Sequence, residues 1–138
     1  MSKRFKEIEQ ICKKYQVKAM YVFGSRGTEL FRVIHDDTIS LSSSQSDLDI
    51  GVLTHSSFSI DDKVNLTLEF ENLFSNAQVD LFVLQDIDAF LAANIIRGER
   101  VYAQDEYLAD EYELFVLRRA GDLAELERER LAMILQEK

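Results

Sequence analysis

Apolar residues recur at spacings of three and four over residues 3 to 15 (KRFKEIEQICKKY), where Phe5, Ile8, Ile11, Cys12 and Tyr15 form one stripe and predict an amphipathic helix. Val17 to Phe23 (VKAMYVF) is short and rich in β-formers, and it is stopped by Gly24-Ser25, so it predicts a strand entering a tight turn. RGTELFRVI follows as one or two helical turns. His35 to Ser46 (HDDTISLSSSQS) is polar and aperiodic, which predicts a flexible loop over about 33–46. Asp47 to Leu53 (DLDIGVL) alternates, with Asp47, Asp49 and Gly51 on one face and Leu48, Ile50 and Val52 on the other, as in a strand.

Residues 60 to 74 fit both periods, because Val64, Leu66, Leu68 and Phe70 alternate while Ile60, Val64 and Leu68 also fit a helix face. The length of the segment and the acidic pair Asp61-Asp62 at its start favour a helix. Val79 to Leu84 (VDLFVL) is almost wholly apolar and predicts a central strand covered on both sides, with Asp80 the exception. A helix over Asp88 to Arg97, stopped by Gly98, precedes a brief extended piece at Val101-Tyr102. A last helical region runs from about 106 to 138, with Gly121 as a candidate kink and a solvated charged run in ELERER. Strands separated by helices predict an α+β fold, an α/β sandwich of a small sheet against a helical layer.

A length of 138 residues fits a single domain, 1–138, with one core. Sixteen Lys and Arg against 25 Asp and Glu leave a net charge of −9, which opposes direct binding to a nucleic acid backbone. No apolar run has the length of a membrane span and no signal-like stretch follows Met1, so a cytoplasmic protein is expected. Cys12 is the only cysteine; with His35 and His55 as the only histidines, any metal must be held by carboxylates. Cys12 reads as core, and the two histidines as exposed loop residues.

Asp47 and Asp49, two apart on one strand, project to the same side with Cα atoms roughly 7 Å apart. Asp80 joins them if its strand lies beside theirs, and an unpaired carboxylate in a buried strand would need a partner. Three such hard oxygen ligands suit Mg²⁺, which binds a few carboxylates together with substrate phosphates. Gly24 and Ser25, between a strand and a helix start, offer backbone N–H groups and a hydroxyl to phosphate oxygens, and Arg26 adds charge. Singly, these are ordinary turn and cap features. Together they are a set of parts for nucleotidyl transfer.

The segments Tyr21-Val22-Phe23-Gly24-Ser25-Arg26-Gly27, Ser46-Asp47-Leu48-Asp49-Ile50-Gly51-Val52 and Val79-Asp80-Leu81-Phe82-Val83-Leu84, with a weaker echo in Ile96-Arg97-Gly98-Glu99-Arg100-Val101-Tyr102, resemble minimal nucleotidyltransferases of the DNA polymerase beta superfamily. The resemblance is to the MNT-domain antitoxins that pair with HEPN-domain toxins. It implies the nucleotidyltransferase fold with a small mixed β-sheet, Mg²⁺ on Asp47, Asp49 and Asp80, and Asp80 helping to deprotonate the acceptor. Gly24, Ser25 and Arg26 would hold the ATP triphosphate. The implied activity is transfer of AMP from ATP to a tyrosine of the cognate HEPN ribonuclease toxin in a type VII-like toxin-antitoxin system, which silences the toxin.

One departure from the family is the spacer between Gly24-Ser25 and Asp47, residues 26 to 46, which is markedly longer here. Added loop length is thermodynamically cheap, but it puts the placement of Arg26 in question. Two other readings stay open: an antitoxin that acts by binding alone, and a nucleotidyltransferase for a small-molecule acceptor, with a homodimer to build the pocket. Neither histidine has an Arg five residues before it, so the chain lacks the Arg-x4-His pattern of the HEPN ribonuclease.

Overall fold

The computed structural model describes residues 1–43 and 46–136. Helix α1 (Lys3–Lys14) is capped by Ser2, whose hydroxyl accepts the Phe5 N–H, and ends on Lys13 and Lys14, which complement the helix dipole. Strand β1 (Ala19–Phe23) is buried along its whole length and leads through Gly24 into α2 (Gly27–His35). After the spacer come β2 (Leu48–Leu53) and α3 (Ile60–Leu73). A reciprocal capping box between Ser59 and Asp62 starts α3, which makes the doubly periodic segment a helix. Only Leu66 and Phe70, one turn apart, are buried on it, whereas Val64 and Leu68 face solvent. Strand β3 (Val79–Val83), a 3₁₀ turn at Leu84–Asp86, α4 (Ala89–Ile96), β4 (Glu99–Ala103) and α5 (Glu106–Gln136) complete the chain. Gly121 does not break α5, which runs through it for 31 residues.

The sheet order is β3-β2-β1-β4, with β1 antiparallel to β2 and β4 and β2 parallel to β3. Two apolar layers cover it. Met20, Val22, Ile50, Val52 and Leu81 pack with Ile8, Cys12, Leu30, Ile34, Leu66 and Phe70 from α1, α2 and α3. On the other face Ala19, Tyr21 and Phe23 pack with Ala93 and Ile95 of α4 and Val116 and Ala120 of α5. The sheet therefore lies between two helical layers, where the sequence predicted one, because alternate residues of β1 are apolar on both faces.

The central position predicted for β3 is not observed: β3 is an edge strand. Val79, Leu81 and Val83 all turn to one core, and Asp80, on the other face, is exposed, so its carboxylate pays no large desolvation cost and needs no buried partner.

The flexible loop predicted from residue 33 is also corrected. Residues 33 to 35 belong to α2, and the segment after it is tied to α1. The Arg4 guanidinium donates to the carbonyls of Val33, Asp36 and Ile39 at 2.9, 3.0 and 2.7 Å. Asp37 in turn accepts the backbone N–H groups of Lys3 and Arg4. Residues 44 and 45 of that predicted loop, and 137 and 138 of the predicted C-terminal helix, lie outside the described residues. His35 ends α2, with its ring stacked on Phe5 and tilted against Phe31, and is not in a loop.

The start of α5 is fixed by Arg100, which binds Glu106, Asp110 and Glu113, while Glu113 also accepts the buried Tyr21 hydroxyl at 2.7 Å. No described residue beyond Ala120 is buried. Among the described residues no helix is long and apolar enough to cross a membrane.

Gly51, on the middle of β2, is in close contact with α4: a Cβ there would lie 2.5 Å from Cγ2 of Ile95, itself fully buried. Gly51→Ala is expected to destabilise the fold by about 1–3 kcal/mol through overpacking. Thermal denaturation checks this, and an unchanged midpoint would mean that α4 shifts freely on the sheet.

Candidate active site

Gly24 adopts φ +76°, a backbone conformation that L side chains rarely take, and the space a side chain would fill is already occupied. A Cβ at Gly24 would sit 2.1 Å from Oδ2 of Asp49. The strand-to-helix turn and the first acid of β2 are thus in direct contact. The turn closes through a Gly27 N–H to Gly24 carbonyl bond of 3.1 Å. Arg26 occupies the N-cap of α2 and makes no side-chain capping bond, so beyond the engaged Gly27 N–H the N-cap side chain leaves the Thr28 and Glu29 amides uncapped, next to the exposed Ser25 hydroxyl.

Register brings the acids together. Asp49 pairs with Phe23 of β1 on one side and with Asp80 of β3 on the other. Because β2 and β3 are parallel, Asp49 and Asp80 project from the same face on neighbouring strands, whose separation is about 4.8 Å. Asp47 lies just before β2 and is exposed, so the sequence expectation that it lies within the strand is off by one residue.

The Asp49 carboxyl is held above the usual carboxylate range, first by burial and then by the negative charges of Asp80 and Asp47. None of the three accepts a hydrogen bond or forms an ion pair among the described residues. Among those residues, no group of three or more His, Cys, Asp or Glu is drawn close enough to cage a metal ion. The acids instead form an open, mutually repelling set of hard oxygen donors, and a divalent cation would relieve that repulsion. The donor chemistry therefore fits Mg²⁺.

Arg26, expected at the triphosphate, is engaged with protein groups beside the turn. It is buried, and all three of its nitrogens are engaged: Nε with Glu29 at 3.0 Å, Nη1 with the Ser46 carbonyl at 3.0 Å and Nη2 with the Ser42 carbonyl at 3.0 Å. Two acids that sequence reasoning passed over also support the site. Glu29, whose spacing of three from Arg26 on one helix was the available signal, pairs with it. Glu71 of α3 accepts the Val79 N–H at 3.0 Å and so anchors the backbone next to Asp80; no sequence pattern marks it. Phe23 and Phe82 meet edge to face, with centroids 5.4 Å apart, beside the acids. The hollow lined by Lys18, Leu53, Gln104 and Leu108 lies at the far end of β1 from this chemistry.

Raising the pKa of Asp49 in the fold means that its ionised form opposes folding at neutral pH. The opposition disappears once the pH falls below the ordinary carboxylate pKa of roughly 3.9, where folded and unfolded chains are both protonated. In metal-free protein, Asp49→Asn is expected to raise the melting temperature at pH 7, with the gain shrinking as the pH falls through that window. Parallel melts of the two proteins from pH 7 to 3.5 read this directly; a gain independent of pH would contradict the electrostatic account.

Residues 6–107, well over half of the chain, match the family described as Polymerase beta, Nucleotidyltransferase. Comparison with curated protein sequences found no match. Among solved structures, the chain is similar to a toxin-antitoxin with AMP-PNP, at 19% identity over 94% of each chain and a TM-score of 0.64. A rebuilt structure of the tri-AMPylated Shewanella oneidensis HEPN toxin in complex with MNT antitoxin matches at 19% identity over 95% of this chain and 92% of that one, with a TM-score of 0.61. The MntA-HepT toxin-antitoxin matches at 18% identity over 95% and 93%, with a TM-score of 0.60. These likenesses share the fold, and the sequence match places the chain in the polymerase beta nucleotidyltransferase family.

Proposed function

We propose that this chain is the antitoxin of a HEPN/MNT pair and transfers AMP from ATP to a tyrosine hydroxyl of its HEPN-type toxin. The observation that carries the reading is the juxtaposition at one end of the sheet: Asp49 in register with Asp80 and its carboxylate against Gly24 of the phosphate-type turn. The similarity to complexes named for an AMP-PNP ligand and an AMPylated HEPN toxin supports nucleotide and partner alike.

Asp47, Asp49 and Asp80 would hold Mg²⁺, which when bound supplies charge neutralisation for the reacting phosphates. Ser25 and the first-turn amides of α2 orient the β- and γ-phosphates through hydrogen bonds and the helix dipole. The tyrosine oxygen forms a bond to the α-phosphorus as the bond from that phosphorus to the bridging oxygen breaks, and pyrophosphate leaves. Asp80, the exposed acid at the sheet edge, takes the hydroxyl proton on a carboxylate oxygen. An open edge suits a macromolecular acceptor that brings its own tyrosine.

Incubating the HEPN-type partner with this chain, ATP and Mg²⁺ is expected to add mass in AMP units on a partner tyrosine. Asp47→Ala, Asp49→Ala and Asp80→Ala should each abolish the gain, and Ser25→Ala should raise the KM for ATP about tenfold through loss of a hydrogen bond to a charged group. Intact-mass spectrometry is the measurement. No gain in the presence of a stable complex and a silenced ribonuclease would establish neutralisation by binding alone.

A further inference from the structure

We propose that Arg26 and Glu29 are positioning residues that clamp the long spacer onto the turn and thereby set where Asp47 stands relative to Gly24 and Ser25. The inference rests on the nucleotidyltransferase reading above and gives a role to a cation which that reading leaves without one.

The clamp grips the spacer at two points. Arg26 Nη1 donates to the carbonyl of Ser46, the residue immediately before Asp47, at 3.0 Å. Arg26 Nη2 donates to the Ser42 carbonyl at 3.0 Å, and Glu29 Oε2 accepts the Ser42 N–H at 2.6 Å. Ser42 is thus held by both its backbone groups, one on each member of the pair. Glu29 is the pair's own counter-ion, at 3.0 Å from Nε, and the hydrogen bonds it accepts from Arg26 and from the Ser42 N–H hold its carboxyl down to about 2. Arg26 itself is only 6% exposed.

Four of the five guanidinium N–H donors are spent on Glu29, Ser46 and Ser42, so Arg26 cannot turn a two-donor edge to a triphosphate unless it first abandons carbonyls that would then lose their partner. An ion pair with one buried partner, here Arg26, contributes little net stability but is costly to half-remove, which suits a part that places the backbone. The second grip, Arg4 on Val33, Asp36 and Ile39, fixes the other end of the same spacer, so its added length is absorbed between two fastenings and does not displace Asp47.

Two measurements test this. In the transfer assay, Arg26→Gln and Glu29→Gln are expected each to lower kcat at least tenfold with KM for ATP changed less than threefold, and the double variant to be little worse than either single one, since both break one device. A rise in KM for ATP with Arg26→Gln while Glu29→Gln stays at wild-type rate would make Arg26 a triphosphate ligand and overturn the proposal. Assaying every variant well below its own thermal midpoint separates placement from unfolding. The second measurement needs no variant: hydrogen exchange on the nucleotide-free wild-type chain should show the Ser42 amide already protected. Protection that appears only after ATP is added would overturn the clamp even if AMP transfer proceeds. Protection in a chain that transfers no AMP would instead overturn the activity and leave the clamp standing.

Discussion

The contact between the Asp49 carboxylate and the bare Cα of Gly24 is the constraint around which this molecule is arranged. It requires a glycine at the end of β1, since any side chain would meet Asp49 Oδ2 at 2.1 Å, and the positive φ there turns the chain into α2. It also requires β2 to lie beside β1 with Phe23 opposite Asp49. Once that register is set, the parallel pairing of β3 places Asp80 opposite Asp49 on the other side. The Gly24-Ser25 turn and a carboxylate pair thereby share one end of a small sheet.

Such a site works against the fold that carries it. Asp49 is half-buried among like charges, and its raised pKa records that burden. The offset comes from the sheet between two apolar layers, where β1 buries both faces and Gly51 lets Ile95 approach closely. Backbone anchors then hold the acids from behind: Glu71 on the amide of Val79, and Arg26 on the carbonyl of Ser46. Asp80 and Asp47 each follow directly on a residue whose backbone is held by such an anchor.

The sheet edge explains why the acids remain accessible. With β3 outermost, Asp80 opens to solvent, and the hollows along α5 and between α1 and α3 are lined by none of the three acids. An acceptor that approaches such an edge need not enter a cavity, which agrees with a macromolecular partner. Beyond Ala120, α5 buries no described residue.

By itself the sequence determined the local elements and the chemical inventory. The stripe from Phe5 to Tyr15, the acidic helix start at Asp61-Asp62, the alternation around Asp49 and the Gly24-Ser25 stop all act through neighbours a few residues away, so spacing alone carries them. Only the tertiary structure decided that β3 is an edge, that helices cover both faces of the sheet, and that the spacer is fastened rather than loose. An apolar strand such as VDLFV carries no record of which strand lies beside it, because backbone pairing is blind to side chains. Arg26 was legible as a cation near phosphates, but its partners, the carbonyls of Ser42 and Ser46, are backbone groups that every residue possesses. No sequence pattern distinguishes them; only the path of the folded chain brings them within reach.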